Sequence, residues 1–425
     1  MQAKLTGHEV QALAVKPTNN PEAYDAYLRG LAFDARSAYS RDLARKAIDS
    51  YERAVQLDPN FALAWARLAR AHAGLCFVLD NTPARRNAAK RALENAQKLQ
   101  PNSPETQLAI GYYQYWVLRD YGLAKTTFKE VSKLLPGNSE APHAFGLVAR
   151  REGNWDESIA YFQQALALDP RNTYLLSDAA STFALLRQSP TALKLFDRAL
   201  DIIPNDPDLT AAKAGIYQAE GNLQEAAKLL SEVNAQTPSA TAFDAKINQL
   251  RLERNHGEAI RLLQARQTQF HFLSEIDRVV NQLMLAWTQH LAGDRTAAKA
   301  TAEETRNTLK EQPVNSDVAG LLASANAVLG EKNSALNEIQ RAIMLLPSAK
   351  DRINGPTYEE GLASIQMTFG ENSQAISTLT QLLQTPYISW FYGTPVTPAL
   401  LRLDPLWDLL RADPAFQKLC EEKQH

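Results

Sequence analysis

Leu166-Ala167-Leu168-Asp169-Pro170 closes a helix, and Gln56-Leu57-Asp58-Pro59 closes another in the same way. Proline lacks an N–H and disfavours helical backbone in the residue before it, so each of these segments is a stop. The stops recur at Pro59, Pro101, Pro136, Pro170, Pro204 and Pro238. The last three intervals are 34 residues each and the one before is 35. A fixed period of this size means a stack of like supersecondary units rather than a globular enzyme core.

Other residues keep the beat when the terminal proline is counted as position 32. Position 20 is Ala47, Ala89, Ala124, Ser158, Ala192 and Ala226, and position 24 is Tyr51, Leu93, Phe128, Phe162, Phe196 and Leu230. Position 27 is Ala54, Ala96, Val131, Ala165, Ala199 and Val233, and position 8 is Ala69, Gly111, Gly146, Ala180 and Ala214. Small residues at 8 and 20 let two helices approach, and large ones at 24 fill the seam. This pattern resembles the tetratricopeptide repeat. The resemblance implies an all-α, right-handed superhelical solenoid of antiparallel helix pairs.

A glycine five residues before an alanine marks the turn inside a pair: Gly221/Ala226, Gly293/Ala298, Gly330/Ala335 and Gly370/Ala375, with Gly153/Ser158 as a variant. Glycine reaches positive φ without penalty, which such a turn uses. These marks predict about ten units over residues 20–386, regular to 238 and irregular after. A lead-in over 1–19 precedes them, and an aromatic loop with capping helices over 387–425 follows. Insertions are expected near Arg41–Arg45 and Val78–Pro83, and long helices near Leu273–His290 and Ala297–Leu309. Abundant alanine favours helix, and no segment alternates with period two, so no sheet is expected.

The 45 basic and 47 acidic residues are interspersed, and no basic stripe suggests a nucleic-acid footprint. No apolar run is long enough to span a bilayer, and Met1–Val15 lacks the apolar centre of a signal peptide. Cys76 and Cys420 show no metal or redox spacing, so a cytoplasmic setting is expected. The seven histidines are scattered, and no phosphate loop, zinc motif or nucleophile elbow occurs. The sequence therefore predicts no catalytic residue, no metal and no cofactor. Asp351-Arg352 and Glu359-Glu360 read as solvated helix faces.

In the repeat family the first helix of each pair lines a concave groove, so the resemblance assigns partner-binding candidates. They are Arg70; Tyr112, Tyr115 and Trp116; His143, Arg150 and Arg151; and Tyr174 and Ser177, with Ser181, Asp208 and Gln218 beyond them. Arginines beside aromatics anchor interfaces, and an extended peptide or acidic segment is the expected ligand. Two other readings compete. Tyr112 and Tyr115 pack between helices while Trp116 covers the turn at Arg119–Gly122, or Arg150-Arg151-Glu152 is a solvated helix end. The clamp by which some relatives hold a terminal carboxylate needs groove asparagines. Positions 6 and 9 here carry Arg67, Ala109, Ala144, Arg70, Tyr112 and Leu147 instead, so that clamp is not expected.

The entry Lys16–Gly30 and the exit Leu401–Phe416 resemble the bounds of the repeat region in bacterial multidomain signalling proteins, where it follows a cyclase, kinase or winged-helix domain. About twenty residues precede the first repeat here, so the chain is a free-standing relative or the end of something longer. Leu406, Trp407, Leu409 and Leu410 are expected to seal the last repeat. The loop Thr385–Pro398, with Tyr387, Trp390, Phe391 and Tyr392, either folds back into the groove or presents a contact surface. Three functions follow: a non-catalytic scaffold for a partner protein or peptide, with self-association left open; a regulatory module of a signalling protein; or an enzyme with its site between His256 and Tyr358.

Overall fold

The structure, a computed structural model, describes residues 17–36, 41–77, 81–272 and 274–421. Most of the lead-in, Val78 to Asp80 and Leu273 lie outside these residues. Among the described residues the protein is all-α, with no strand.

The chain divides into two compact units, Met1–Ala179 with Asp201–Ile203, and Ala180–Leu200 with Pro204–His425. Unit 1 contains α1 (Pro21–Asp34), α2 (Arg41–Leu57), α3 (Ala62–Phe77), α4 (Pro83–Leu99), α5 (Pro104–Tyr113), α6 (Tyr121–Leu134), α7 (Glu140–Glu152), α8 (Trp155–Leu168) and the start of α9 (Thr173–Leu185). A π-helical turn, Gln114–Leu118, extends α5. Unit 2 contains the rest of α9, nearly all of α10 (Ser189–Ile202), α11 (Pro207–Glu220), α12 (Leu223–Leu229), α13 (Ala240–Leu252), α14 (His256–Gln269), α15 (Glu275–Leu291) and α16 (Arg295–Lys310). It continues with α17 (Ser316–Leu329), α18 (Lys332–Leu345), α19 (Gly355–Thr368), α20 (Asn372–Leu383), α21 (Pro398–Leu403) and α22 (Pro414–Glu421). A 3₁₀ helix, Pro405–Leu410, joins the last two.

From α1 to α8 and from α11 to α20 odd-numbered helices pack on the even-numbered helices that follow them. The repeated small residues are the reason. Ala47, Ala89, Ala124, Ser158, Ala192, Ala226, Ala298, Ala335 and Ala375 are all fully buried at the crossing. The opposite wall is as tight: a β-carbon on Gly111 would lie 2.4 Å from the Phe128 ring. Apolar rings and alanines thus interdigitate at interior density.

The turn inside each pair uses left-handed backbone. Gly153, Gly221, Gly293, Gly330 and Gly370 have φ between 79° and 87°. Three pairs place arginine there instead: Arg119, Arg187 and Arg254, with φ of 52°, 58° and 59°. Each also stands five residues before a buried alanine: Ala124, Ala192 and Ala259. A non-glycine residue in this region is strained.

Arg41 opens the 17-residue α2 and Pro83 the 17-residue α4; residues 37–40 and 78–80, where the turn insertions are expected, lie outside the described residues. Other expectations need correction. Asp351 and Glu360 are not on solvated faces; both are fully buried. Asp351 Oδ1 accepts from the N–H groups of Ile353 and Asn354, at 3.0 Å each, and so caps the approach to α19. Leu406, Trp407 and Leu410 are buried at the C-terminal end, but Leu409 is 64% exposed. A 3₁₀ helix repeats every three residues, so Trp407 and Leu410 share the inner side and Leu409 turns outward.

Candidate interaction surface

In unit 1 the first helices α3, α5, α7 and α9 bring the candidate residues together. On α3, Arg70 binds Glu140 at the start of α7, and Arg67 reaches the same carboxylate at 3.1 Å and Asp34 at 3.8 Å. The two pairs to Glu140 bridge over α5. Beneath the bridge lies Tyr112, its ring 4.3 Å from the Arg70 guanidinium carbon and edge-on to Phe128. Trp116 stacks on Tyr112 at 4.3 Å and lies against Gly74 of α3, not over the turn at Arg119–Gly122.

The second cluster centres on Asp178 of α9. His143 Nε2 is 2.7 Å from Asp178 Oδ2, and Arg150 donates to Asp178 Oδ1 at 3.0 Å. Tyr174 meets the edge of His143 at 5.4 Å. Arg151 points away from this cluster: its Nε donates to Tyr115 Oη at 3.3 Å, its guanidinium covers Phe77, and Tyr115 donates to the Leu147 carbonyl. Ser177 spends its hydroxyl on the Thr173 carbonyl, one turn back.

Burial sorts the candidates. Tyr112, Tyr115, His143, Arg150, Arg151 and Ser177 are buried, so the Arg150-Arg151 pair is not a solvated helix end. Arg70, Trp116 and Tyr174 are half-buried and form the accessible part of the set. Burial disfavours ionisation of Glu140, yet Arg70 and Arg67 override it and hold its carboxyl at about 2. Burial likewise opposes charge on Asp178, and Arg150 and His143 overcome it and lower its pKa.

The first helices of unit 2 are covered by the chain's own segment 385–404. Arg187 donates to the carbonyls of Leu382, Thr385 and Val396 at 2.9 to 3.2 Å. Thr357 of α19 donates to the Ile388 carbonyl, Arg251 of α13 to the Phe391 carbonyl at 3.3 Å and to the Asp404 carboxylate at 3.0 Å. Thr397 donates to the Ala219 carbonyl of α11 at 2.6 Å. The aromatic loop therefore folds back onto this face. Glu360 of α19 accepts from Ser389 Oγ at 2.9 Å; burial pushes its carboxyl up to about 7, against the pull of Ser389, Tyr387, the Trp390 N–H and the Arg251 charge. Asp208 and Gln218 are also taken up within unit 2, by Ser239 and by the Ala245 carbonyl.

Among the described residues no three His, Cys, Asp or Glu side chains converge as a metal set, and no helix is long and apolar enough to cross a membrane. Sequence reasoning missed Arg67, Glu140 and Asp178. Their signal is charge on first helices one or two repeats apart, which periodicity alone does not pair.

Two family profiles, each described as tetratricopeptide repeat, match residues 143–207 and 186–251. The chain therefore carries tetratricopeptide repeats over that stretch. The BBSome complex member bbs-4 of Caenorhabditis elegans is 29% identical over 96 residues, 22% of this chain and 21% of that protein; the chain thus spans about a fifth of that relative. Yeast Tom70 aligns over 94% of this chain and 99% of its own at 12% identity, with a TM-score of 0.45. A tetratricopeptide repeat protein from Parabacteroides merdae aligns over 62% of this chain and 98% of its own at 19% identity, with a TM-score of 0.44. These structural likenesses concern the fold alone.

Proposed function

We propose that this chain is a non-catalytic interaction scaffold that holds a segment of a partner protein on the first-helix face of unit 1. The observation that carries the reading is the accessible group Arg70, Trp116 and Tyr174, set around buried Tyr112. Large aromatic area with planar donors, seated on a rigid floor, is the composition of an interaction hot spot. The corresponding helices of unit 2 already hold the chain's own segment, which leaves unit 1 as the face for a partner. The sequence resemblance at the entry and exit segments adds a setting, the regulatory module of a bacterial signalling protein in the cytoplasm.

The test is a pull-down with the full chain and with Trp116→Ala/Tyr174→Ala, both confirmed as folded by circular dichroism. A partner held by the parent chain and lost from the variant is the expected result. A partner retained equally by both chains overturns the assignment to this face.

A further inference from the structure

Trp287, Ser324 and Ser364 hold one repeat position on three successive first helices. Each stands six residues before the turn glycine of its pair, Gly293, Gly330 and Gly370. They belong to α15, α17 and α19 and line one cleft, which lies wholly within unit 2. Earlier in the chain that position, the ninth, carries Arg70, Tyr112 and Leu147. Two serines in succession leave open the room that such side chains would take. Gly320, one turn before Ser324, adds no bulk either: a β-carbon there would lie 3.2 Å from the Tyr358 ring.

The cleft offers about 40 Å³ to the centres of water molecules, room for about three of them. Four rings wall it: Trp287, Tyr358, and Trp390 and Phe391 of the folded-back segment. Trp390 stands at the mouth, 37% exposed. No lining side chain carries a charge. The charges behind the walls are already engaged: Asp317 accepts from Tyr358 Oη at 2.7 Å, and Arg251 donates to the Phe391 carbonyl. An ion entering the cleft would lose water without meeting a counter-charge, which is costly. One polar donor remains. Ser324 Oγ accepts from Trp287 Nε1 at 2.7 Å, and among the described residues its own proton goes to no acceptor. A hydroxyl can donate while it accepts, and Ser324 is only half-buried, so a ligand can reach it.

We infer that this cleft binds a small uncharged organic molecule, whose compact aliphatic end sits between the rings of Trp287, Trp390 and Phe391 while one oxygen accepts from Ser324 Oγ. The space suits a branched group of about four carbon atoms. Aromatic walls with a single placed polar group are the composition of a small-molecule site. Two of the rings belong to the folded-back segment, so the bound molecule ties that segment to α15 and α17 and steadies the cover of unit 2.

Saturation-transfer NMR with the full chain tests this, using three probes of nearly one shape. They are 3,3-dimethyl-1-butanol, choline as its quaternary ammonium counterpart, and 3,3-dimethylbutyrate as a carboxylate. The alcohol is expected to bind most tightly, with transfer centred on its methyl groups. Ser324→Ala should weaken it roughly three- to tenfold. Trp390→Ala removes a partly exposed ring and should weaken it at least as much, with the fold confirmed by circular dichroism. Ser324→Ala leaves the folded-back segment untouched, so it decides the case even where Trp390→Ala loosens that segment. Tighter binding of choline or of the carboxylate overturns the uncharged chemistry. Equal binding of the alcohol to the parent chain and both variants places it elsewhere and overturns the site, as does no transfer to the alcohol at all.

Discussion

Glu140 and Glu360 stand on first helices of unit 1 and unit 2, and their carboxyls are driven in opposite directions, to about 2 and about 7. Burial raises both. Glu140 meets two guanidiniums, whereas Glu360 meets the Ser389 hydroxyl and the folded-back aromatic segment. The difference teaches what each face is built for. Unit 1 balances charge by charge, keeping a polar floor that stays partly open to water. Unit 2 excludes water beneath its own peptide, and a carboxyl caught there is pushed toward its neutral form.

The comparison is broken most severely by removing the anchor of the unit 2 cover. Trp407 is fully buried among Leu379, Leu400 and Leu410 and donates to Tyr392 Oη at 3.0 Å. Trp407→Ala should cost about 3–5 kcal/mol in denaturant unfolding, with rapid proteolysis after residue 386.

Glu360 gives the next effect. Its folded pKa lies above the ordinary carboxyl value, so its stabilising contribution is complete below pH about 4.5 and is lost as pH rises through about 7. The loss should reach roughly 3 kcal/mol by pH about 8. It should be absent in Glu360→Gln, measured as unfolding midpoint against pH.

Glu140 should show the opposite sign. Its folded pKa is depressed, so its contribution is present above pH about 4.5 and lost as pH falls through about 2. Because its side chain keeps some contact with water, about 2 kcal/mol is expected after screening. Glu140→Gln should lose that acid-sensitive step. Least affected of all should be Leu409→Ser. An exposed side chain that touches nothing essential changes stability by less than about 0.5 kcal/mol, even though its neighbours Trp407 and Leu410 are anchors.

The fold was legible where physics repeats locally. Alanine at the crossing and glycine at the turn recur because two helices must approach and the chain must then turn through positive φ. The same turn was illegible at Arg119, Arg187 and Arg254, since arginine rarely takes that backbone. At two of them the side chain reaches the C-terminal segment: Arg187 holds three carbonyls there, and Arg254 pairs with Asp408 at 2.7 Å. The candidates named for unit 1 lie on first helices and several of them touch one another, because position within the repeat sets direction. Their carboxylate partners, the inward course of Arg151 and the fold-back of 385–398 depend on contacts between distant parts of the chain, which no periodicity encodes. The reading of Glu360 as solvated failed for that reason: its cover arrives from nearly thirty residues downstream.

The most direct test is amide hydrogen exchange of the full chain, alone and with the partner captured in the pull-down. If the unit 1 face receives the partner while unit 2 keeps its own segment, slowed exchange will appear on α3, α5, α7 and the start of α9. Exchange on α11, α13, α19 and residues 387–397 will stay as it was. Slowed exchange on α11 and α13, with faster exchange in 387–397, would mean that the partner displaces the internal peptide, and would contradict the account.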